Sequence, residues 1–122
     1  ATRDLDLLTS QDKFGTTLTL IDETMRRQWE PKASPTYERI AVLSLAKHLR
    51  LTTWVSLEPV IDPDQTLKLI DMTGDFVDEY KVGKLNYIEN NTDWPKFARQ
   101  AKAKLESKGK KYYLKADLRK YL

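Results

Sequence analysis

The chain has 122 residues, 40% hydrophobic and 32% charged, with a formal net charge of +3. That is the size and balance of one globular domain spanning residues 1–122. It has no cysteine and one histidine, His48. This excludes disulfides, thiolate zinc sites and cysteine-ligated iron–sulfur clusters within this chain, and it argues against a histidine metal site or a Ser-His-Asp triad. No run nears the roughly 20 apolar residues that a membrane helix needs, and no charged-then-apolar leader opens the sequence, so the expectation is a cytoplasmic protein without a membrane partner.

In chain order, "DLDLLTSQ" (4–11) has Leu5 and Leu8 three apart and reads as a short helix. "GTTLTLID" (15–22) alternates Thr and Leu and reads as a strand. "ETMRRQWEPKAS" (23–34) is polar, contains Pro31 and reads as a long loop that a Glu30–Arg39 pair could pin to the following helix. Ser34-Pro35 predicts a capped helix running to about Arg50, with a stripe of Tyr37, Ile40, Ala41 and Leu45. "LTTWVSLEPV" (51–60) is the second strand, and Asp62, Pro63 and Gly74 frame the next helix. "DEYKVGKLNYI" (78–88) is the third strand. Trp94, Phe97, Ala98, Ala101 and Leu105 then form one helical face, capped by Thr92 or Asp93 and stopped at Gly109. "KKYYLKADL" (110–118) is the fourth strand.

Strands alternating with helices predict an α/β fold of parallel βα units in the order 1-2-3-4. The pattern alone does not decide between an open sheet and a barrel segment. In such sheets ligands gather at the carboxyl ends of the strands. Those ends carry Asp22 and Glu23, then Ser56 and Glu58 on one face, then Lys84 and Asn86, then Lys115 and Asp117. Glu58 and Lys84 are expected to be close enough to interact. Each residue also has a structural reading as a cap, a salt bridge or a strand terminator. The clustering favours a site, because charge in a parallel sheet is costly unless paired or ligand-facing. Ten lysines and arginines from Lys96 to Lys120 face only Glu106 and Asp117; such a surface either attracts phosphates or is simply solvated.

The stretches "TRDLDLL", "GTTLTLID", "WEPKASPTYERI", "TTWVSLEPVID" and "YKVGKLNY", in this order and spacing, resemble the second half of the radical S-adenosylmethionine domain in the spore photoproduct lyase group, whose members include DNA-repair photolyase-like proteins. The resemblance implies part of a (β/α) barrel, about four of its six or so strands. It also implies a parent protein that binds [4Fe–4S] through a CxxxCxxC loop and cleaves S-adenosylmethionine. With no cysteine, this chain departs from the family at that loop, so no cofactor is expected on the chain alone and the cluster-binding half would lie upstream. Ser56, Glu58, Lys84 and Asn86 would face the cofactor or substrate in the intact barrel. Partners are then the missing amino-terminal half, or a second copy at the free strand edge. A freestanding module for nucleic acid or a phosphorylated ligand, and a cluster-less interaction subunit, are the alternatives.

Overall fold

A computed structural model describes residues 13–84 and 92–122. The predicted helix at 4–11 lies outside the described residues. The elements are β1 (Lys13–Thr17), α1 (Glu23–Trp29), α2 (Thr36–His48), β2 (Thr52–Val60), α3 (Pro63–Thr73), β3 (Glu79–Lys84), α4 (Trp94–Ser107), β4 (Lys111–Leu114) and α5 (Ala116–Arg119). The four strands form one sheet in the order β1-β2-β3-β4, and every pairing is parallel. The mixed α/β architecture expected from the alternation is present.

A sequential parallel order with right-handed crossovers puts the helices on one face of the sheet. The burial alternation agrees. On β2, Thr53, Val55 and Leu57 are buried, whereas Trp54, Ser56 and Glu58 are partly exposed. The register extends the buried face to Tyr80 and Val82 on β3 and to Leu114 on β4. Against it pack Leu43 of α2, Leu69 and Ile70 of α3 and Phe97, Ala101 and Leu105 of α4. The opposite face carries Gly15, Trp54, Ser56, Glu79, Lys81, Lys111 and Tyr113, all of them partly or fully exposed.

The helix α4 follows its sequence pattern closely. Asp93 accepts from the Lys96 N–H, Pro95 occupies the first turn, and all five expected apolar residues are buried. Gly109 follows with φ +66°, a conformation that costs glycine little. Asp62 caps α3 in the same way, with Pro63 at its start.

Four expectations need correction. First, β1 covers 13–17 rather than 15–22. Beyond Leu18 its backbone groups leave the ladder for side chains: the Leu20 carbonyl accepts from Thr36 Oγ1 at 2.6 Å, and the Ile21 and Asp22 N–H groups donate to Gln65. Second, the polar stretch 23–34 contains a helix, α1. Asp22 caps it, accepting from Thr24 and Met25, and Arg26 is only 4% exposed. Arg26 donates to Glu23 at 2.6 Å and to the carbonyls of Glu30 and Ala33. Third, α2 buries Thr36, Leu43 and Ala46, and leaves Tyr37, Leu45 and Leu49 exposed; its N-cap is Pro35 rather than Ser34, without a side-chain bond. Fourth, β4 ends at Leu114, because Lys115 turns the chain into α5. The Glu30–Arg39 pair does form, at 3.0 Å, and Thr19 Oγ1 donates to the same carboxylate.

Candidate functional site

At the carboxyl end of the open face, side-chain alternation along β2 brings Ser56 and Glu58 together. Ser56 Oγ lies 3.3 Å from Glu58 Oε1. The other carboxylate oxygen lies 2.5 Å from Nζ of Lys115, just beyond β4. The strand between them, β3, presents Gly83 at that level. A methyl group there would come within 3.1 Å of the Glu58 carboxyl and 3.0 Å of Lys115 Cδ. Two strand spacings of about 4.8 Å separate β2 from β4, so the pair can meet only across a residue with no side chain. Gly83 therefore belongs to the arrangement.

The Glu58 carboxylate, hydrogen-bonded to Lys115 and near it in charge, raises the ammonium's pKa above the ordinary lysine value. About half of the Lys115 side chain and a fifth of the Glu58 side chain are open to solvent. The result is a carboxylate held by one cation and one hydroxyl at the exit of a parallel sheet. It can accept an ammonium or sulfonium group, or release Lys115 to an anionic group.

Lys84 does not join it. On β3 it has the parity of Tyr80 and Val82, and it pairs in register with Val60. It sits on the helix side, where Nζ lies 3.2 Å from Tyr121 Oη and within 5.6 Å of the Trp94 ring. The expected Glu58–Lys84 contact is replaced by Glu58–Lys115, and Lys115 pairs with Glu58 rather than with Asp117. Asn86 lies outside the described residues. Asp22 and Glu23 serve α1, Asp22 as its cap and Glu23 by bonding Arg26 and the Thr36 N–H. Arg26 holds the Glu23 carboxyl below its usual range, against some burial. His48 is the exposed last residue of α2. Trp94 packs edge-on against Phe97 at 5.9 Å, whereas Trp29 is 42% exposed.

Towards the amino end the open face carries a different set. Glu79 lies 3.3 Å from Lys13 and 3.7 Å from Lys111. The Lys81 ammonium stands 5.3 Å from the centre of the Trp54 ring, and the Arg119 guanidinium 5.2 Å from that of Tyr113. A hollow of about 250 Å³ opens between Trp54, Glu79, Lys81 and Tyr113. Sequence reasoning missed this group because it looked only at strand exits. The alternation of Glu79 and Lys81 with Tyr80 and Val82 was the available signal.

Among the described residues no group of three or more His, Cys, Asp or Glu side chains could hold a metal ion. Nor is any described helix long and apolar enough to cross a membrane. No family model, curated protein or solved structure matches the chain.

Proposed function

We propose that this chain is the carboxyl-terminal part of a radical S-adenosylmethionine (β/α) barrel of the spore photoproduct lyase-like group, with its open sheet face as the barrel interior. The observation that carries the reading is the second face of the sheet, where the described residues Trp54, Ser56, Glu79, Lys81, Lys111 and Tyr113 are partly or fully exposed. Parallel sheets are ordinarily covered on both faces, and a barrel is the arrangement that covers the second face by closing the sheet on itself. The Glu58–Lys115–Ser56 cluster at the carboxyl end is where a barrel enzyme places its polar ligands.

The cluster cofactor does not fit this chain's own residues. A [4Fe–4S] unit needs thiolates, the chain has none, and carboxylates are too hard to replace them. Those ligands belong to an amino-terminal part closing on β1. Ser56 and Glu58 are suited to a polar contact with S-adenosylmethionine, Glu58 through its negative charge. Lys84 faces the helix layer and takes no part.

Anaerobic incubation of the chain with iron and sulfide should give no cluster absorbance and no 5′-deoxyadenosine. Adding an amino-terminal part with a CxxxCxxC loop should give both. A cluster on the chain alone, or no turnover from the reassembled pair, would overturn the reading. A second reading, a module for phosphorylated or nucleic-acid ligands, draws on Lys81, Lys111, Trp54 and Tyr113, since cations beside partly or fully exposed rings suit phosphates and bases. Saturable, salt-sensitive binding of single-stranded oligonucleotides would favour it.

A further inference from the structure

The sheet order ends at β4, so Lys111–Leu114 is an edge strand among the described residues. Side-chain alternation puts Lys111, Tyr113 and Lys115 on one face of it. The Arg119 guanidinium, from α5, lies 5.2 Å from the centre of the Tyr113 ring. Lys111, Tyr113, Lys115 and Arg119 are all exposed. Alternate residues of a strand lie about 6.6 Å apart, so the positions bearing these cations recur at that interval along the edge. The main chain runs beside them. The Lys115 N–H donates to the Val82 carbonyl at 2.9 Å. Backbone groups of its parity thus point at β3, and Tyr112 and Leu114 direct their N–H and C=O groups outward along the edge.

We infer that the β4 edge is a docking site for an extended acidic segment of a partner protein. The segment adds a strand to the sheet and sets alternate carboxylates against Lys111, Arg119 and Lys115. Pitch and charge choose this occupant together. A strand added beside β4 has the same rise per residue, so its alternate side chains keep step with the cations. Lys111 shares the Glu79 carboxylate with Lys13, at 3.7 and 3.3 Å, and stays 77% exposed, so a second carboxylate can reach it. The same charges disfavour a second copy of this chain, because an identical edge would set lysine against lysine. A nucleic acid would meet the cations and leave the outward main chain unused. The inference rests on the β4 edge and is independent of the radical-enzyme reading.

The probe is a fluorescent peptide of about six residues that alternates glutamate and threonine. The comparators are a peptide of the same composition with its glutamates in one block, and single-stranded oligothymidylate. By fluorescence anisotropy at low salt the alternating peptide should bind saturably, at least about fivefold tighter than the block peptide. Lys111→Ala and Arg119→Ala should each weaken it about threefold, and Lys102→Ala, at an exposed position of α4, should leave it unchanged. All three positions are exposed, and circular dichroism checks that each variant keeps the fold. In the saturated complex the Tyr112 and Leu114 amides should exchange with solvent at least about tenfold more slowly by nuclear magnetic resonance. No saturable binding, equal affinity for the two peptides, tighter binding of oligothymidylate, or unchanged exchange at Tyr112 and Leu114 would each overturn the inference.

Discussion

Gly15 is the position where one added methyl group gives a decisive result. Gly15 pairs directly with Trp54 across β1 and β2, and the indole lies over it so closely that a Cβ on residue 15 would fall inside the ring. With no clash, Gly→Ala in a strand gains about 0.4–1 kcal/mol by restricting the unfolded chain. With the clash, either the strands spread or Trp54 leaves its seat and its contact with Lys81. The first costs about 1–3 kcal/mol; the second forfeits the ring's burial and a cation–π contact of about 0.5–1 kcal/mol. Gly15→Ala should therefore destabilise by about 1–2 kcal/mol net, the reverse of the unhindered sign. Urea unfolding followed by far-ultraviolet circular dichroism measures it without relying on tryptophan emission. In a Trp54→Ala background the same change should stabilise by about 0.5 kcal/mol, a coupling near 2 kcal/mol. If Gly15→Ala raises the midpoint with Trp54 present, or costs the same in both backgrounds, the indole does not rest on this glycine.

Arg26→Met should cost about 1–3 kcal/mol, because it leaves the Glu30 and Ala33 carbonyls without their buried donor, whereas the partly exposed Glu23 carboxylate keeps water and the Thr36 N–H; equilibrium unfolding checks it, and Arg26→Lys should recover only part. Burial pushes the Tyr80 hydroxyl up to about 12, against the opposing effect of its hydrogen bond with Thr73. Its protonated form is thus favoured in the fold, and its contribution is full below pH 10 and lost between pH 10 and 12. Over that window the wild type should lose roughly 2–3 kcal/mol more than Tyr80→Phe. Asp78 is pushed up by burial but held lower overall by the Lys47 ammonium, at 2.8 Å, and the Thr53 N–H, at 2.9 Å. Its stabilisation is present above the ordinary carboxylate pKa and is lost as the pH falls through the lower folded value, so Asp78→Asn should flatten the acid limb of a stability–pH curve. Glu58→Gln should leave the thermal midpoint in place, because water reaches Lys115 freely; if the proposed barrel reading holds, it should also raise the Kd for S-adenosylmethionine of the reassembled pair by titration calorimetry.

Parts of the fold were legible where local chemistry and burial agree. The sequence Asp93, Pro95, Phe97, Ala101, Leu105 carries a cap, a first-turn proline and a single apolar face, and α4 follows it. In α2 apolar residues occur almost all round the helix, so periodicity could not choose a face. The structure chose one that includes Thr36, a polar residue made harmless by the Leu20 carbonyl. The helix α1 was hidden for a related reason. Its anchor is an arginine, and nothing local marks Arg26 as buried, because its partners Glu30 and Ala33 satisfy it only after the chain has folded back. At the site, period two placed Ser56 and Glu58 correctly. It also held the answer for Lys84, which shares parity with the apolar Tyr80 and Val82 rather than with Glu79 and Lys81. The blank at Gly83 concealed it, since the open-face position on β3 has no side chain to attract notice.

The open face also constrains what can cover it. Apolar cover alone would bury Lys13, Lys81 and Lys111 beside the single carboxylate of Glu79, and burying unmatched ammonium groups is costly. The covering surface must therefore be acidic, phosphate-bearing or wet at the amino end, where Glu79 already serves two lysines. At the carboxyl end the balance differs, because Glu58 and Lys115 neutralise one another and a polar ligand can exchange with either. The two ends thus separate structure from chemistry. Under the proposed reading, charge at the amino end would select what closes over the sheet, and the Glu58–Lys115 pair, seated over Gly83, would be left for a ligand.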